Sequence, residues 1–366
     1  MRIVLLGYYG WHNLGDDLFV EQLSRHLPKI LPNLTRLTIL CQNCYYQSPE
    51  PSVRFRATGD LSKLQLLRLM VKADYVIWGG GSMEFGDAPK TMLLMQQTSQ
   101  KTGGRFQFWG VGLEKIDVTD SSEGAIASTR LLKKSSFLYF RDPVSYTKAS
   151  SFQPDHTKYC LGGDIALLDP NLYRPWHKLS AVDGTSAPTA PPKTIKNIGI
   201  SGKFWWGQGR ADFYGDQLRP WVEQHGATIH CLPAHGGTEH SDNQFHEKLK
   251  TTLPEGTCVI HDWGHYGEFL QLLRLMDVYI SNRLHGVITA DQLGVPNIGI
   301  ASESKITNYI QKSGMVPELR VVEFMDPITE DHLRSLVSQY RRPNEFIEAE
   351  SQAAKGAIAQ ALNLKQ

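Results

Sequence analysis

Apolar residues along this chain fall into short runs bounded by glycine and polar clusters. The first is Ile3-Val4-Leu5-Leu6-Gly7, the pattern of a strand buried on both faces. Comparable runs recur at 37–40, 75–78, 106–109 and 137–140. Between them, residues 16–27 carry Leu18, Phe19, Leu23 and Leu27 near helical spacing, and 61–71 and 121–134 also read as helices. Strands alternating with helices predict βα units and a parallel sheet. The rhythm breaks at 169–196, which is crowded with Pro, Ser, Thr and Ala and includes Ala187-Pro188-Thr189-Ala190-Pro191-Pro192. Such a stretch is expected neither to nucleate a helix nor to enter a sheet, because proline lacks a backbone N–H. Strand-like runs resume at 197–200, 228–232, 258–260, 278–281 and 297–300, and a charged helical stretch covers 329–362. The pattern predicts two α/β domains joined by a Pro-rich connection, with a cleft between them. The parts are 1–170, a Pro-rich linker or loop at 171–196, a second domain at 197–325, and C-terminal helices at 326–366 that reach back to the first domain.

Composition sharpens this picture in a few places. At roughly 100–200 residues per domain, 366 residues suit two domains, each with its own core. The balance of 38 Lys+Arg against 37 Asp+Glu lacks the basic excess of a protein held on nucleic-acid phosphates, so no nucleic-acid partner is expected. Five cysteines are too few for a disulfide framework, and the Cys41-x-x-Cys44 pair has no second pair at zinc-ligand spacing. His230, His235, His240 and His246 form no H-x-x-x-H pair beside a carboxylate, so no metal is expected. No apolar window approaches the ~18 residues of a membrane span, and the N-terminal run is too short for a signal peptide. The expected compartment is the reducing cytoplasm.

Candidate chemistry gathers at strand ends, where ligands collect in open α/β sheets. The first segment is Gly7-Tyr8-Tyr9-Gly10-Trp11-His12-Asn13-Leu14-Gly15-Asp16-Asp17. Its glycines allow close backbone approach, and aromatic rings beside carboxylates and an amide suit a sugar. Asp16 and Asp17 either cap the following helix or accept protons from hydroxyl groups, and a plain capped turn stays open. The spacing is not G-x-G-x-x-G, which leaves a dinucleotide site unsupported. The second segment is Trp78-Gly79-Gly80-Gly81-Ser82, with Glu84 and Asp87 just beyond. The third, Arg141-Asp142-Pro143-Val144-Ser145, offers a guanidinium to a carboxylate or phosphate, or else an ordinary helix-start ion pair. The fourth is Ser281-Asn282-Arg283-Leu284-His285-Gly286-Val287. A guanidinium two residues from an imidazole suits an anionic substrate that must also be protonated, and Lys305 adds a second cation. Trp205-Trp206 reads either as a sugar platform or as an exposed loop.

In order and spacing these segments, together with Asp164-Ile165-Ala166-Leu167-Leu168, resemble the polysaccharide pyruvyl transferase family from residue 7 to about residue 305. The resemblance implies two Rossmann-like domains similar to the GT-B glycosyltransferases. It also implies transfer of pyruvate from phosphoenolpyruvate to two hydroxyls of a sugar or glycan precursor, closing a cyclic ketal. Phosphoenolpyruvate is then the donor substrate, and no cofactor is required. The family's Arg-Leu-His motif, tied to that donor, maps onto Arg283, Leu284 and His285, and its upstream arginine onto Arg141. The chemistry adds Lys305 as a further cation, His285 as general acid or phosphate stabiliser, and Asp16 as base. Tyr9, Gly10, Asn13, Asp16, Gly80, Gly81 and Ser82 are the expected acceptor-side residues. His12 stands where relatives often carry another glycine, which points to an unusual acceptor. A lipid-linked acceptor would bring the enzyme to the inner membrane face. Two other readings use the same residues: a GT-B glycosyltransferase with a nucleotide-sugar donor, and an inactive carbohydrate-binding protein. The acceptor sugar, the ketal position and the oligomeric state are left open.

Overall fold

The computed structural model describes residues 1–83, 89–114, 116–117, 120, 122–177, 194–237 and 240–363. The chain packs as two units: Met1–Trp11, Asp16–Asp169 and Glu348–Gln366 in the first, His12–Gly15 and Pro170–Ile347 in the second.

The first unit holds strands β1 (Arg2–Leu6), β2 (Arg36–Cys41), β3 (Val53–Ala57), β4 (Tyr75–Ser82), β5 (Arg105–Gly112), β6 (Phe137–Phe140) and β7 (Tyr159–Leu161). They form one parallel sheet in the order β3-β2-β1-β4-β5-β6-β7. Its helices are α1 (Leu14–Ile30), whose first two residues count with the second unit, α2 (Lys63–Lys72), α3 (Pro89–Lys101), α4 (Glu123–Lys133) and α5 (Pro143–Ala149). A sheet covered on both faces must bury both alternating sets of side chains, so its inner strands are continuous apolar runs. Val4, Val76, Phe106, Phe108, Leu138 and Phe140 share one buried cluster. The sheet order reverses between β1 and β4, which places a crevice at the carboxyl ends of those two strands.

The second unit repeats the scheme with β8 (Asn197–Ser201), β9 (Thr228–Cys231), β10 (Cys258–Ile260), β11 (Val278–Ser281), β12 (Asn297–Ile300) and β13 (Val321–Val322). All pair in parallel, in the order β10-β9-β8-β11-β12-β13. Its helices are α6 (Gln208–His225), α7 (Asn243–Lys250), α8 (Tyr266–Leu273), α9 (Leu284–Leu293), α10 (Ser304–Ser313), α11 (Pro317–Arg320), α12 (Glu330–Gln339) and the start of α13 (Asn344–Ala361), which continues into the first unit. Here the reversal lies between β8 and β11, so the crevice opens at Ser201 and Ser281.

The structure departs from the sequence pattern in four places. The strands that the pattern misses, β3, β7 and β13, are all sheet edges. Edge strands are short or polar: β3 reads Val53-Arg54-Phe55-Arg56-Ala57, with Arg54 exposed. The glycine triplet lies inside β4 rather than beyond it, with Gly79 opposite Trp109 and Gly81 opposite Val111. Residues Pro170–Trp176, expected to be irregular, form a 3-10 helix with Tyr173 fully buried, since short 3-10 turns tolerate proline where no N–H is needed. The rest of the expected linker, 178–193, lies outside the described residues, as do Glu84 and Asp87. The stretch 329–362 is two helices, α12 ending where Tyr340 turns extended and α13 beginning just after Pro343.

Candidate active site

Cations gather at the crevice of the second unit. Lys203 lies two residues past the end of β8, Arg283 two past β11, and Glu303 and Lys305 follow β12. The Arg283 backbone N–H donates to Ser281 Oγ at 3.1 Å, and the residue caps α9 in extended geometry. Its guanidinium forks onto Asp242, with Nε donating to Oδ2 at 3.2 Å and Nη2 donating to Oδ1. Asp242 is fully buried and also accepts the backbone N–H groups of His235 (3.0 Å) and Phe204 (3.3 Å). Burial raises its carboxyl, and Arg283 and the two amides offset only part of that rise. Four donors thus fix the carboxylate that aims the guanidinium.

Glu303 bridges the two lysines, with Oε1 2.7 Å from Lys203 Nζ and Oε2 2.9 Å from Lys305 Nζ. Burial alone would raise Glu303, but Lys305 and Lys203 hold it down to about 2. Burial lowers Lys203, which is only 3 % exposed, against the pull of Glu303. Trp205 is 57 % exposed and lies 4.9 Å from Lys203 Nζ and 5.6 Å from Arg283 Cζ, measured at the ring centroid. Its π face supports two cations. The tryptophan pair divides here, because Trp206 is buried and stacks on Tyr214.

His285 occupies the first turn of α9, beside residues 12–15. That segment runs along 234–236: Leu14 N donates to Ala234 O at 2.9 Å, Asn13 bridges His235, and Gly236 N donates to His12 O at 2.9 Å. A Cβ on Gly15 would fall inside the His285 ring, so only glycine leaves room for the imidazole. Asn13, expected on the acceptor, closes this turn by accepting Gly15 N at 3.1 Å. Leu284 is buried, and the N–H groups it and His285 present at the helix start are what the motif can offer an anion. His12 lines a separate cleft of about 420 Å³ with Gly237, Asp262, Trp263, Gly264 and Glu268, an acidic and aromatic lining unsuited to an anion.

The crevice of the first unit has the opposite character. Tyr9 and Gly10 are framework rather than contact surface. Tyr9 is 1 % exposed and its hydroxyl donates to Gly79 O at 2.5 Å, while Gly10 N donates to Tyr46 Oη at 2.7 Å. Tyr8, 42 % exposed and stacked on Trp11, presents the accessible aromatic face. Gly80 has φ of +82°, and a Cβ there would fall inside the Phe19 ring. A Cβ on Gly81 would lie 3.6 Å from Asp16 Oδ1, which places that carboxylate over a bare stretch of backbone.

Ser82 Oγ accepts from Arg141 Nη2 at 3.1 Å. Arg141 also lies 3.4 Å from Asp164 Oδ2 and 3.7 Å from Glu114 Oε1. Burial would weaken its hold on the proton, but Asp164, Glu114, Asp142 and Asp16 more than offset this. Arg141 is therefore ringed by carboxylates of its own unit. The rest of its motif is capping: Asp142 accepts Ser145 N at 2.8 Å at the start of α5. Asp17 accepts the hydroxyls of Tyr45 (2.8 Å) and Tyr46 (2.5 Å), and burial pushes it up to about 7.

Sequence reasoning missed Lys203, Asp242, Glu114, Tyr45 and Tyr46. The signal for Lys203 was present, since it follows its strand by the same two residues as Arg283. Asp242 sits in a loop and carries no local signal. Among the described residues, no group of three or more His, Cys, Asp or Glu side chains converges to hold a metal ion.

Comparison with known proteins identifies the fold and the family. The chain resembles the UDP-GlcNAc 2-epimerase of Methanocaldococcus jannaschii, with TM-score 0.63, 14% identity and full coverage of both chains. It also resembles the Neisseria meningitidis UDP-GlcNAc 2-epimerase solved with UDP-GlcNAc (TM-score 0.56, 11% identity, 99% of this chain and 100% of that one). A third likeness is a glycosyltransferase from Rickettsia africae (TM-score 0.54, 11% identity, 99% and 95% coverage). At such identities these likenesses establish the fold, a GT-B type of two Rossmann-like units. No curated protein sequence matches. The sequence profile described as "Polysaccharide pyruvyl transferase" matches residues 13–304, spanning both crevices, and the chain belongs to the polysaccharide pyruvyl transferase family.

Proposed function

We propose that the protein transfers the pyruvyl group of phosphoenolpyruvate to two hydroxyls of a sugar in a glycan, forming a pyruvate ketal. The observation that carries this reading is the set of three cations, Lys203, Arg283 and Lys305, at one crevice. A donor bearing both a carboxylate and a phosphate needs several fixed positive groups, and a forked guanidinium matches either end. Protonation of the donor's methylene carbon turns it into a methyl group and leaves C2 electrophilic. One sugar hydroxyl adds to C2, phosphate departs with the C2–O bond electrons, and the second hydroxyl closes the ring as both hydroxyl protons are lost. His285 delivers the first proton and Asp16 takes a hydroxyl proton, as general acid and base. Arg141 holds Asp164, Glu114 and Ser82 in place on the acceptor side.

Melting curves with each donor test this. Phosphoenolpyruvate is expected to raise the melting temperature while UDP-N-acetylglucosamine leaves it unchanged, because only a ligand of the folded state stabilises it. The reverse pattern would transfer the assignment to a nucleotide-sugar glycosyltransferase.

A further inference from the structure

Helix α2 is apolar on two faces. Leu66, Leu69 and Met70 pack on the core of the first unit, whereas Leu64, Leu67 and Val71 are 69, 43 and 40 % exposed. At about 100° per residue those three fall within roughly 60° of arc. Lys63 flanks the stripe on one side, Arg68 and Lys72 on the other, and α2 contains no Asp or Glu. The neighbouring α3 adds Leu94, 62 % exposed, and ends on Lys101. Next to it α4 adds Ile126, 56 % exposed, with Arg130 and Lys133 against Glu123 alone. The whole chain is nearly neutral at +1, so this basic excess is local.

An exposed apolar stripe rimmed by lysine and arginine is the profile of a helix that lies in a membrane interface. We propose that this face of the first unit docks on an anionic bilayer. Leu64, Leu67 and Val71 enter the headgroup layer while Lys63, Arg68 and Lys72 meet lipid phosphates. Charge complementarity selects the occupant, since a neutral surface would leave the flanking cations unanswered. Docking uses none of the residues of either crevice and stands whether or not the donor assignment holds. A glycan carried on a lipid would be met at such a surface.

Co-sedimentation of the full chain with vesicles tests it. Binding is expected to vesicles of phosphatidylcholine and phosphatidylglycerol in equal parts, not to phosphatidylcholine alone, and is expected to weaken as salt rises. The triple variant K63Q/R68Q/K72Q is expected to lose roughly a hundredfold in partitioning, about fivefold per charge. The variant L64Q/L67Q is expected to lose binding at low and high salt alike. Both alter exposed positions, so unchanged melting temperatures verify that they fold. Wild-type protein that stays in the supernatant with phosphatidylglycerol vesicles overturns the proposal, as do variants that sediment like wild type. A dimer seen by light scattering and lost in L64Q/L67Q, with vesicles ignored, would make the face a contact between copies and also overturn it.

Discussion

The two crevices stand at equivalent places in two doubly wound sheets and differ in the sign of their charge. In the second unit, Lys203, Lys305 and Arg283 surround Glu303 and Asp242. In the first, Asp164, Glu114 and Asp16 surround Arg141. In each, a minority charge organises the majority: Glu303 spaces two ammonium groups, and Arg141 gathers carboxylates. The sheet order supplies the location, and the few residues after each strand decide whether it suits an anion or a polyol.

Removing the central arginine of each crevice separates these roles. Arg283→Ala is expected to lower kcat/KM for the donor by roughly three orders of magnitude, as for loss of a fixed group opposite transition-state charge. Arg283→Lys is expected not to rescue it, because an ammonium cannot fork onto Asp242 as a guanidinium does. Both arginine removals should cost stability, about 3–5 kcal/mol in a denaturant titration, because Arg283 pairs the buried Asp242 and Arg141 the buried Asp164, but Arg141→Met should leave the donor KM unchanged. A selective rise in donor KM in Arg141→Met, with stability intact, would break the division between the crevices and return Arg141 to the donor.

The adjacent residues Gly15 and Asp16 give the next largest effect. Gly15→Ala must push the His285 ring aside, and Asp16→Asn removes the proposed base. Each is expected to lower kcat by about two orders of magnitude, the lower part of the range for general acid–base groups. Donor affinity measured by calorimetry should hold in both. A Gly15→Ala enzyme with normal kcat would show that the position of the imidazole is immaterial.

Much of this was legible in the sequence, and the reasons differ by region. Inner strands announced themselves because burial on both faces demands continuous apolar runs, while β3, β7 and β13 hid because an edge does not. Arg283, His285 and Lys305 stood out in the sequence because they follow strand-like runs, and the structure places them just after β11 and β12. Tyr9 misled because an aromatic residue among glycines looks like a sugar platform, yet its hydroxyl serves Gly79 O. The ion pairs of Arg141 had no local signal, because Glu114 and Asp164 lie 27 and 23 positions away in sequence. The meeting of Gly15 with His285 joins two motifs that are 270 positions apart, and no local pattern reports such a contact.

The smallest expected effect concerns pH, and its sign differs between the units. Burial, despite the Tyr46 and Tyr45 hydroxyls, raises Asp17 from 3.8 to about 7, so the folded chain keeps a proton that the unfolded chain releases. Its stabilising contribution is full below the unfolded value of 3.8 and is lost as pH rises through about 7. Burial opposes ionisation of Glu303 too, but Lys305 and Lys203 hold it at about 2 against an ordinary 4.5, so its contribution is present above 4.5 and lost as pH falls toward 2. Acidification should therefore strengthen the first crevice while weakening the second. Melting profiles of Asp17→Asn are expected to flatten on the limb between about pH 4 and 7, and those of Glu303→Gln on the limb below about pH 4.5. Profiles of both variants parallel to wild type would show that neither carboxyl is held as its surroundings dictate, and the electrostatic contrast between the crevices would lose its thermodynamic support.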